Sequence, residues 1–375
     1  MPPPPPPQQA VAVLGGKRVV WFDDGPILLK GFGSGSTSLG VASQQLPQMA
    51  SSASAVALVG QSQREFIGGV PPAPLRAIPQ PKPVSGGGCG KWQPAAEPLG
   101  DFVVVADDLV TAGRATCPPG ASATRQPLFA RDLRGGHWRV LRWLTGNAPP
   151  ILAAEGKRLA VGVQYTAGTM RLLVIDIRDG HTDSHFDTSD GYLAFAGSNR
   201  LVLSAPHEAD GQAVALGPRM RLGNGTYSSG GDSGGPFRLS LYSTKGRRIA
   251  RLGSSEEPPL VSGNHFITDE GNNGEEVLSV HDIRGGAPKT VIGFNAPARA
   301  LVTLAFRWPM LVTVETTSTP LLPREVRCWT GSYGPAGQPF LGTFDLARDE
   351  PFMPAPVLVS IRPSEPLTDC GPAPP

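Results

Sequence analysis

The stretch that decides the fold runs from Pro150 to Ala205. It reads ILAAEGKRLAVGV (Ile151–Val163), MRLLVIDIRDG (Met170–Gly180), HTDSHFD (His181–Asp187) and YLAFAGSNRLVLSA (Tyr192–Ala205). These are short apolar runs, several of them alternating, punctuated by Gly, Asp and Asn. That pattern predicts consecutive antiparallel strands joined by tight turns.

Parts of the stretch recur along the chain. An apolar strand ending in Asp-apolar-Arg-x-Gly appears as LFARDLRGG (Leu128–Gly136), LLVIDIRDG (Leu172–Gly180) and VLSVHDIRGG (Val277–Gly286). FLGTFDLARD (Phe340–Asp349) is a weaker copy, and LSLYSTKG (Leu239–Gly246) fills the slot without the Asp. A β-type run such as WRVLRWL follows each, so the glycine closes a hairpin in which positive φ comes cheaply. A paired apolar run precedes each, as in ILAAEG-KRLAVGV. The parts together give four strands per unit, A to D. The units read as 10–44, 46–98, 100–147, 150–188, 191–256, 258–296 and 299–362, the second carrying little strand signal between Pro71 and Pro98.

Four-stranded antiparallel units repeated along a chain resemble the β-propeller class, in the general plan of WD-repeat and TolB-like proteins. The expected fold is all-β, a β-propeller of seven four-stranded blades, or six if the second unit is an insertion. Expected boundaries are a Pro-rich linker or truncated N-terminus at 1–9 (MPPPPPPQQ), the propeller at 10–362 and a C-terminal tail at 363–375 tied by a disulfide. Stacked blades bury both sheet faces, which accounts for continuous apolar A and B strands. The D strand forms an outer edge that must resist pairing with other chains, and HTDSHFD is polar enough for that.

Strand alternation puts the A–B and C–D turns on one face of the disc and the B–C loops and D–A connections on the other. The long insertions, Cys117–Pro127, Pro206–Pro236 and Thr317–Pro339, all fall in B–C slots. Binding residues concentrate in long loops on rigid scaffolds, so this face is the expected interaction surface.

Of 375 residues, 47 are Gly and 41 Pro, while 40% are hydrophobic; many turns and few helices reconcile these figures. The net charge of +2 is scattered, with no basic stripe to neutralise phosphates, so nucleic acid is not an expected partner. No apolar run reaches membrane-spanning length. The N-terminal segment lacks the charged and apolar regions of a secretory signal. Cys89, Cys117, Cys328 and Cys370 form no C-x-x-C pair, which argues against a zinc centre. Their even number among Gly and Pro loops points to two disulfides, and hence to a secreted or cell-envelope location. Blade geometry favours Cys89–Cys117 and Cys328–Cys370, since each pair is local to one unit and emerges on the long-loop face.

Four constellations bear on chemistry. GGDSGGPF (Gly230–Phe237) resembles the nucleophile segment of trypsin-like serine proteases, with Ser233 as the implied nucleophile. The family's histidine context is missing: VTAGRATC (Val110–Cys117) holds no His, so Ser233 is read as part of a Gly-rich loop. His181, Asp183, His185 and Asp187 alternate along a strand and project from one face, a weak zinc pattern that equally describes a polar edge. Asp23-Asp24 and Asp107-Asp108 read as turn formers. Asn224-Gly225-Thr226 matches a glycosylation sequon.

No catalytic set and no cofactor motif stands out. The expected function is therefore a non-catalytic secreted or envelope propeller that binds a protein or carbohydrate ligand through its long-loop face. The alternative is a propeller hydrolase or lyase with its site at the central channel, which requires polar residues from several blades to converge on the axis. A serine protease built on Ser233 is a minor alternative.

Overall fold

The computed structural model describes residues 11–22, 26–31, 37–41, 48–59, 66–94, 102–117, 124–145, 150–166, 169–189, 191–206, 220–222, 226–228, 237–255, 259–269, 275–285, 289–295, 299–308, 310–317, 340–345, 357–360 and 368–369. Among these, every regular element is a β-strand, and the ladders are antiparallel. Short runs of β-branched and apolar residues between Gly, Asp and Asn turns leave no segment long enough, or with the right apolar period, for a helix.

Consecutive strands form four-stranded sheets, the plan of a β-propeller. The chain begins with β1 (Val11–Leu14), β2 (Arg18–Phe22), β3 (Pro26–Gly31) and β4 (Thr37–Val41). A second sheet holds β5 (Gln48–Ser51), β6 (Val56–Val59), β7 (Phe66–Gly69) and β8 (Arg76–Ile78). A hairpin of β9 (Val84–Gly86) and β10 (Cys89–Pro94) then joins the sheet of β11 (Phe102–Val105), β12 (Asp108–Thr116), β13 (Arg125–Asp132) and β14 (Trp138–Thr145). Next come β15 (Ile151–Glu155), β16 (Arg158–Thr166), β17 (Thr169–Asp176) and β18 (Thr182–Ser189).

The following sheet pairs β19 (Tyr192–Phe195), β20 (Arg200–Pro206), β23 (Phe237–Ser243) and β24 (Arg248–Ser255), with a small hairpin of β21 (Met220–Leu222) and β22 (Thr226–Ser228) between its second and third strands. Then come β25 (Leu260–Ser262), β26 (His265–Asp269), β27 (Glu275–Asp282) and β28 (Lys289–Asn295). The last sheet has β29 (Arg299–Arg307), β30 (Met310–Thr317), β31 (Phe340–Asp345) and β32 (Val357–Ser360), with β33 (Thr368–Asp369) from the tail added at its edge. The strands expected around Leu172–Ile177, Leu201–Ser204 and Val277–Val280 are thus β17, β20 and β27.

The first strand of each sheet is innermost, and these strands neighbour one another in succession: β1 with β5, β5 with β11, β11 with β15, β15 with β19, β19 with β25, β25 with β29, and β29 back to β1. The core is a series of wedges between adjacent sheets. Val103, Val110 and Leu128 pack on Leu152, Leu159 and Ile175 of the next sheet, and Leu172 and Val174 pack on Leu193 and Leu203 of the one after. Burying each such side chain stabilises the fold by roughly 1.5–3 kcal/mol.

The Asp-apolar-Arg-x-Gly repeat has a structural cause. In β17 and the turn after it, the Asp176 carboxylate accepts the Arg178 backbone N–H (2.9 Å) and its guanidinium, while the Gly180 N–H donates to the Asp176 carbonyl (2.9 Å). Asp282, Arg284 and Gly285 repeat the arrangement. The apolar residue between them is buried, and its N–H donates to an A–B turn carbonyl: Leu133 to Asp107, Ile177 to Lys157 and Ile283 to Asn264. The motif thus ties the C–D turn of a sheet to its A–B turn. The slot without Asp keeps this geometry, because the Ser243 Oγ accepts the Arg247 N–H and the Thr244 N–H donates to Asn199.

The weakly marked segment Pro71–Pro98 carries more structure than its sequence suggests. It holds β8 and the β9–β10 hairpin, whose Trp92 is buried against Phe129. The β10–β12 ladder sets Lys91 opposite Thr116, in line beyond β11.

Candidate functional site

The alternating polar strand is β18, the outer strand of its sheet. Its odd residues face outward, with Asp183, His185 and Asp187 exposed, and His181 exposed just before it. Its carboxylates face arginines: Asp187 pairs with Arg171 (2.8 Å), its direct cross-strand partner, and Asp183 with Arg158 (3.5 Å). Among the described residues no His, Cys, Asp and Glu side chains group as metal ligands. Asp107 accepts from Ser54 of the preceding sheet and from Arg134, and Asp108 pairs with Arg139, so both are turn and tether residues. Cys117 is disulfide-bonded. Ser233, Asp23, Asp24, Asn224, Cys328 and Cys370 lie outside the described residues, as do most of the long B–C insertions.

The polar convergence within the described residues lies at the A–B-turn ends of innermost strands. A small cavity, open to solvent and with room inside for about one water, is bounded by the ends of β15, β19, β25 and β29 next to their A–B turns. Innermost strands of four consecutive sheets enclose it, so it lies on the axis. Its exposed lining is mainly polar, with Glu155, Ser262 and Arg307 among the residues around it, while Ala153, Leu193, Phe195 and Phe306 are buried behind that lining.

Arg307 closes β29. Its Nη2 donates to the Ser51 carbonyl of β5 (3.4 Å), while its Nε is buried with no hydrogen-bond partner among the described residues. Burial pulls its pKa below the usual arginine value, and the charge of Glu155 partly restores it. The guanidinium nevertheless stays cationic at any physiological pH. Glu155 closes β15, and its carboxylate makes neither a hydrogen bond nor an ion pair among the described residues. The Ser262 Oγ accepts the Trp308 N–H (2.9 Å), fixing the turn that carries Arg307. The Trp308 indole lies flat on the His265 ring, with centroids 3.5 Å apart. Burial depresses the His265 pKa, opposed by the charge of Asp282, and its Nδ1 has no partner among the described residues.

The arrangement sets a half-buried carboxylate beside a guanidinium whose Nε has no hydrogen-bond partner among the described residues. A carboxylate so placed takes a proton or accepts a donor, and a guanidinium holds a carbonyl or carboxylate oxygen. Neither Glu155 nor Arg307 was singled out from the sequence. The signal lay in the repeat itself. Superposing the units puts Leu14, Ser51, Val105, Glu155, Phe195, Ser262 and Arg307 in one slot, the last residue of the innermost strand, and two of these are charged.

No family model and no curated protein sequence matches the chain. Solved structures do share its fold. A puromycin hydrolase mutant complexed with PGG superposes with a TM-score of 0.56 at 12% identity, covering 98% of this chain and 55% of that one. A puromycin-hydrolyzing peptidase of Mycobacterium tuberculosis gives 0.50 at 14%, covering 94% and 53%. An acylaminoacyl peptidase of Pyrococcus horikoshii gives 0.52 at 8%, covering 90% and 51%. At these identities the likeness is one of fold, and the chain spans about half the length of each of these proteins.

These findings correct the expectation of a non-catalytic binding module working through its long-loop face. The propellers that the chain superposes on belong to hydrolases and peptidases, and the polar convergence lies on the axis at the short-turn end. Loop length drew the sequence reading to the other face, because one sequence shows loop lengths directly and convergence across sheets only through the fold.

Proposed function

We propose that the chain is the propeller of a hydrolase acting on amide-linked substrates, and that the axial cavity is where substrate is held. One observation carries this reading: Glu155, Ser262 and Arg307 come from three separate sheets and meet in one cavity. A scaffold serving only its outer loops gains nothing from a carboxylate and a guanidinium brought to its axis from separate sheets, since a buried donor such as the Arg307 Nε, without a partner among the described residues, costs stability. The likeness of fold to enzymes named for puromycin and acylaminoacyl peptides supports the same direction. In this reading Arg307 holds the carbonyl oxygen of the amide.

The blade count and the covalent bridge belong to the same proposal. Seven blades are supported by the closed succession of innermost strands from β1 through β29. A Cys89–Cys117 bridge is supported by the β10–β12 register, with Lys91 opposite Thr116, and by Cys117 being disulfide-bonded. Such a bridge fits an oxidising compartment.

The test is an assay of the full-length protein on puromycin and on the 4-nitroanilides of alanine and leucine. Expected is time-dependent amide cleavage that falls by about tenfold or more in Glu155→Gln and in Arg307→Met. A folded protein that cleaves none of these substrates, or variants that cleave as fast as wild type, would overturn the proposal.

A further inference from the structure

The outer strands of the sheets differ in how they balance charge. On β14, Arg139 pairs with Asp108 and Arg142 donates to the Gly180 carbonyl. On β18, Asp183 and Asp187 each meet an arginine. The hairpin of β23 and β24 is of one sign: from Phe237 to Ser255 it holds Arg238, Lys245, Arg247, Arg248 and Arg251, and no Asp or Glu. The last four are exposed, and among the described residues none of their side chains has a hydrogen-bond or ion-pair partner. Like charges this close together repel, so the row gains when an anion neutralises it.

The register places these cations. Arg248 lies opposite Tyr242 and Arg251 opposite Ser240, two residues apart on β23, so both point to the same side of the sheet. Tyr242 stacks on Phe186 of β18, which makes that the side turned towards the preceding sheet. Ile249 is the extra residue of a bulge between the two arginines and stands 46% exposed, one of two large apolar side chains so exposed among the described residues. A second bulge follows at Leu252, and edges bent in this way resist the addition of a strand. A partner is therefore met by side chains. We infer that the β24 rim binds an acidic polypeptide segment, its carboxylates on Arg248, Arg251 and the turn of Lys245 and Arg247, and an apolar side chain on Ile249. A guanidinium fork holds a carboxylate through two parallel hydrogen bonds. Each exposed pair contributes little alone, so the row acts together. A phosphate backbone would use the cations and leave Ile249 uncovered, whereas an acidic peptide supplies carboxylates and an apolar side chain within the same short length. The surface belongs to an outermost strand and stands independently of the hydrolase reading.

Fluorescence anisotropy of the full-length protein with a labelled peptide of glutamates flanking a central leucine tests it. The peptide is expected to bind and to be released as salt rises, while lysines around the same leucine abolish binding. Arg248→Glu together with Arg251→Glu should weaken binding about tenfold or more. The same change of charge made at a distance, Arg76→Glu with Lys82→Glu, should leave binding within about twofold. All four side chains are exposed, so both double variants should keep the wild-type urea midpoint. Ile249→Ser leaves every charge in place and should weaken the peptide about threefold or more. An oligouridylate of equal charge should bind more weakly than the peptide. No binding of the acidic peptide, an equal loss in the Arg76 and Lys82 pair, no loss in Ile249→Ser, or tighter binding of the oligouridylate would overturn the inference.

Discussion

Gly156 and Gly180 both hold positive φ, +58° and +71°, but only one is hemmed in. A Cβ on Gly180 would come within 2.4 Å of the Leu141 carbonyl oxygen in the preceding sheet, whereas one on Gly156 meets nothing within 4 Å. Gly156→Ala should therefore cost only the left-handed strain, about 1 kcal/mol. Gly180→Ala should cost more, about 2–3 kcal/mol, because backbone must also move. Paired urea melts separate the two contributions, and equal costs would show that the contact is not tight. The turn before Gly180 carries a pH dependence. The guanidinium and backbone N–H of Arg178 hold the Asp176 carboxyl down to about 2, below its ordinary value. The stabilisation is complete above the unfolded-state pKa of ~4 and is lost as pH falls through the folded value. Asp176→Asn keeps the turn's acceptor oxygen and deletes the charge. Since Arg178 is largely exposed and solvent screens the pair, the variant should lose only about 1 kcal/mol at pH 7. The deficit should shrink between pH 4 and pH 2, which denaturant midpoints across that range would reveal.

At the scale of the element, β18 shows what a period of two can and cannot convey. Its alternation HTDSHFD was legible as an edge strand, and burial follows the alternation residue by residue. The same alternation offers a row of His and Asp that looks like a ligand set until the cross-strand neighbour is known. Arg171, directly opposite Asp187, turns the row into ion pairs. The inward residue Phe186 carries the packing: it stacks on Tyr242 of the next sheet and sits against Gly246. Phe186→Ala should cost about 3 kcal/mol, while His185→Ala one residue away should stay within about 0.5 kcal/mol. A large loss in His185→Ala would mean that the outward face has a partner. Strands such as β17 and β27 were legible because an apolar run and a fixed turn sequence mark both ends. β8, β9 and β10 were not, because their Gly and Pro content hides short strands that owe their pairing to tertiary contacts such as Trp92 on Phe129. Glu155 and Arg307 are 152 positions apart and meet only because sheets are arranged about an axis, a relation that no local pattern records.

The whole molecule depends on a seam. Among the described residues each sheet comes from its own stretch of chain, β1–β4 in the first and β29–β33 in the last, and no strand is exchanged between them. In the described structure, contacts between β1 and β29 and between their A–B turns hold the first sheet to the last. Gly15 and Gly16 form the first turn, both at positive φ. Gly15 lies against the Ala53 carbonyl, and Gly16 so close to Trp308 that a Cβ would stand 2.4 Å from its carbonyl oxygen. The turn bearing Trp308 also bears Arg307, whose Nη2 reaches over to Ser51. A single glycine therefore sits where seam and axial cavity meet. Gly16→Val adds left-handed strain at a β-branched residue and forces Trp308 away, at an expected cost of about 3 kcal/mol or more. Sheets elsewhere in the ring keep both neighbours, so the loss should be local before it is global. Hydrogen exchange followed by mass spectrometry should show β1–β2 and β29–β30 losing protection first, with β15–β17 close to wild type. Uniform loss over all sheets would mean instead that the ring opens as one cooperative unit and that the seam is no weaker than any other contact between sheets. Because the Trp308 turn also positions Arg307, the same variant should slow amide cleavage even where the protein remains folded.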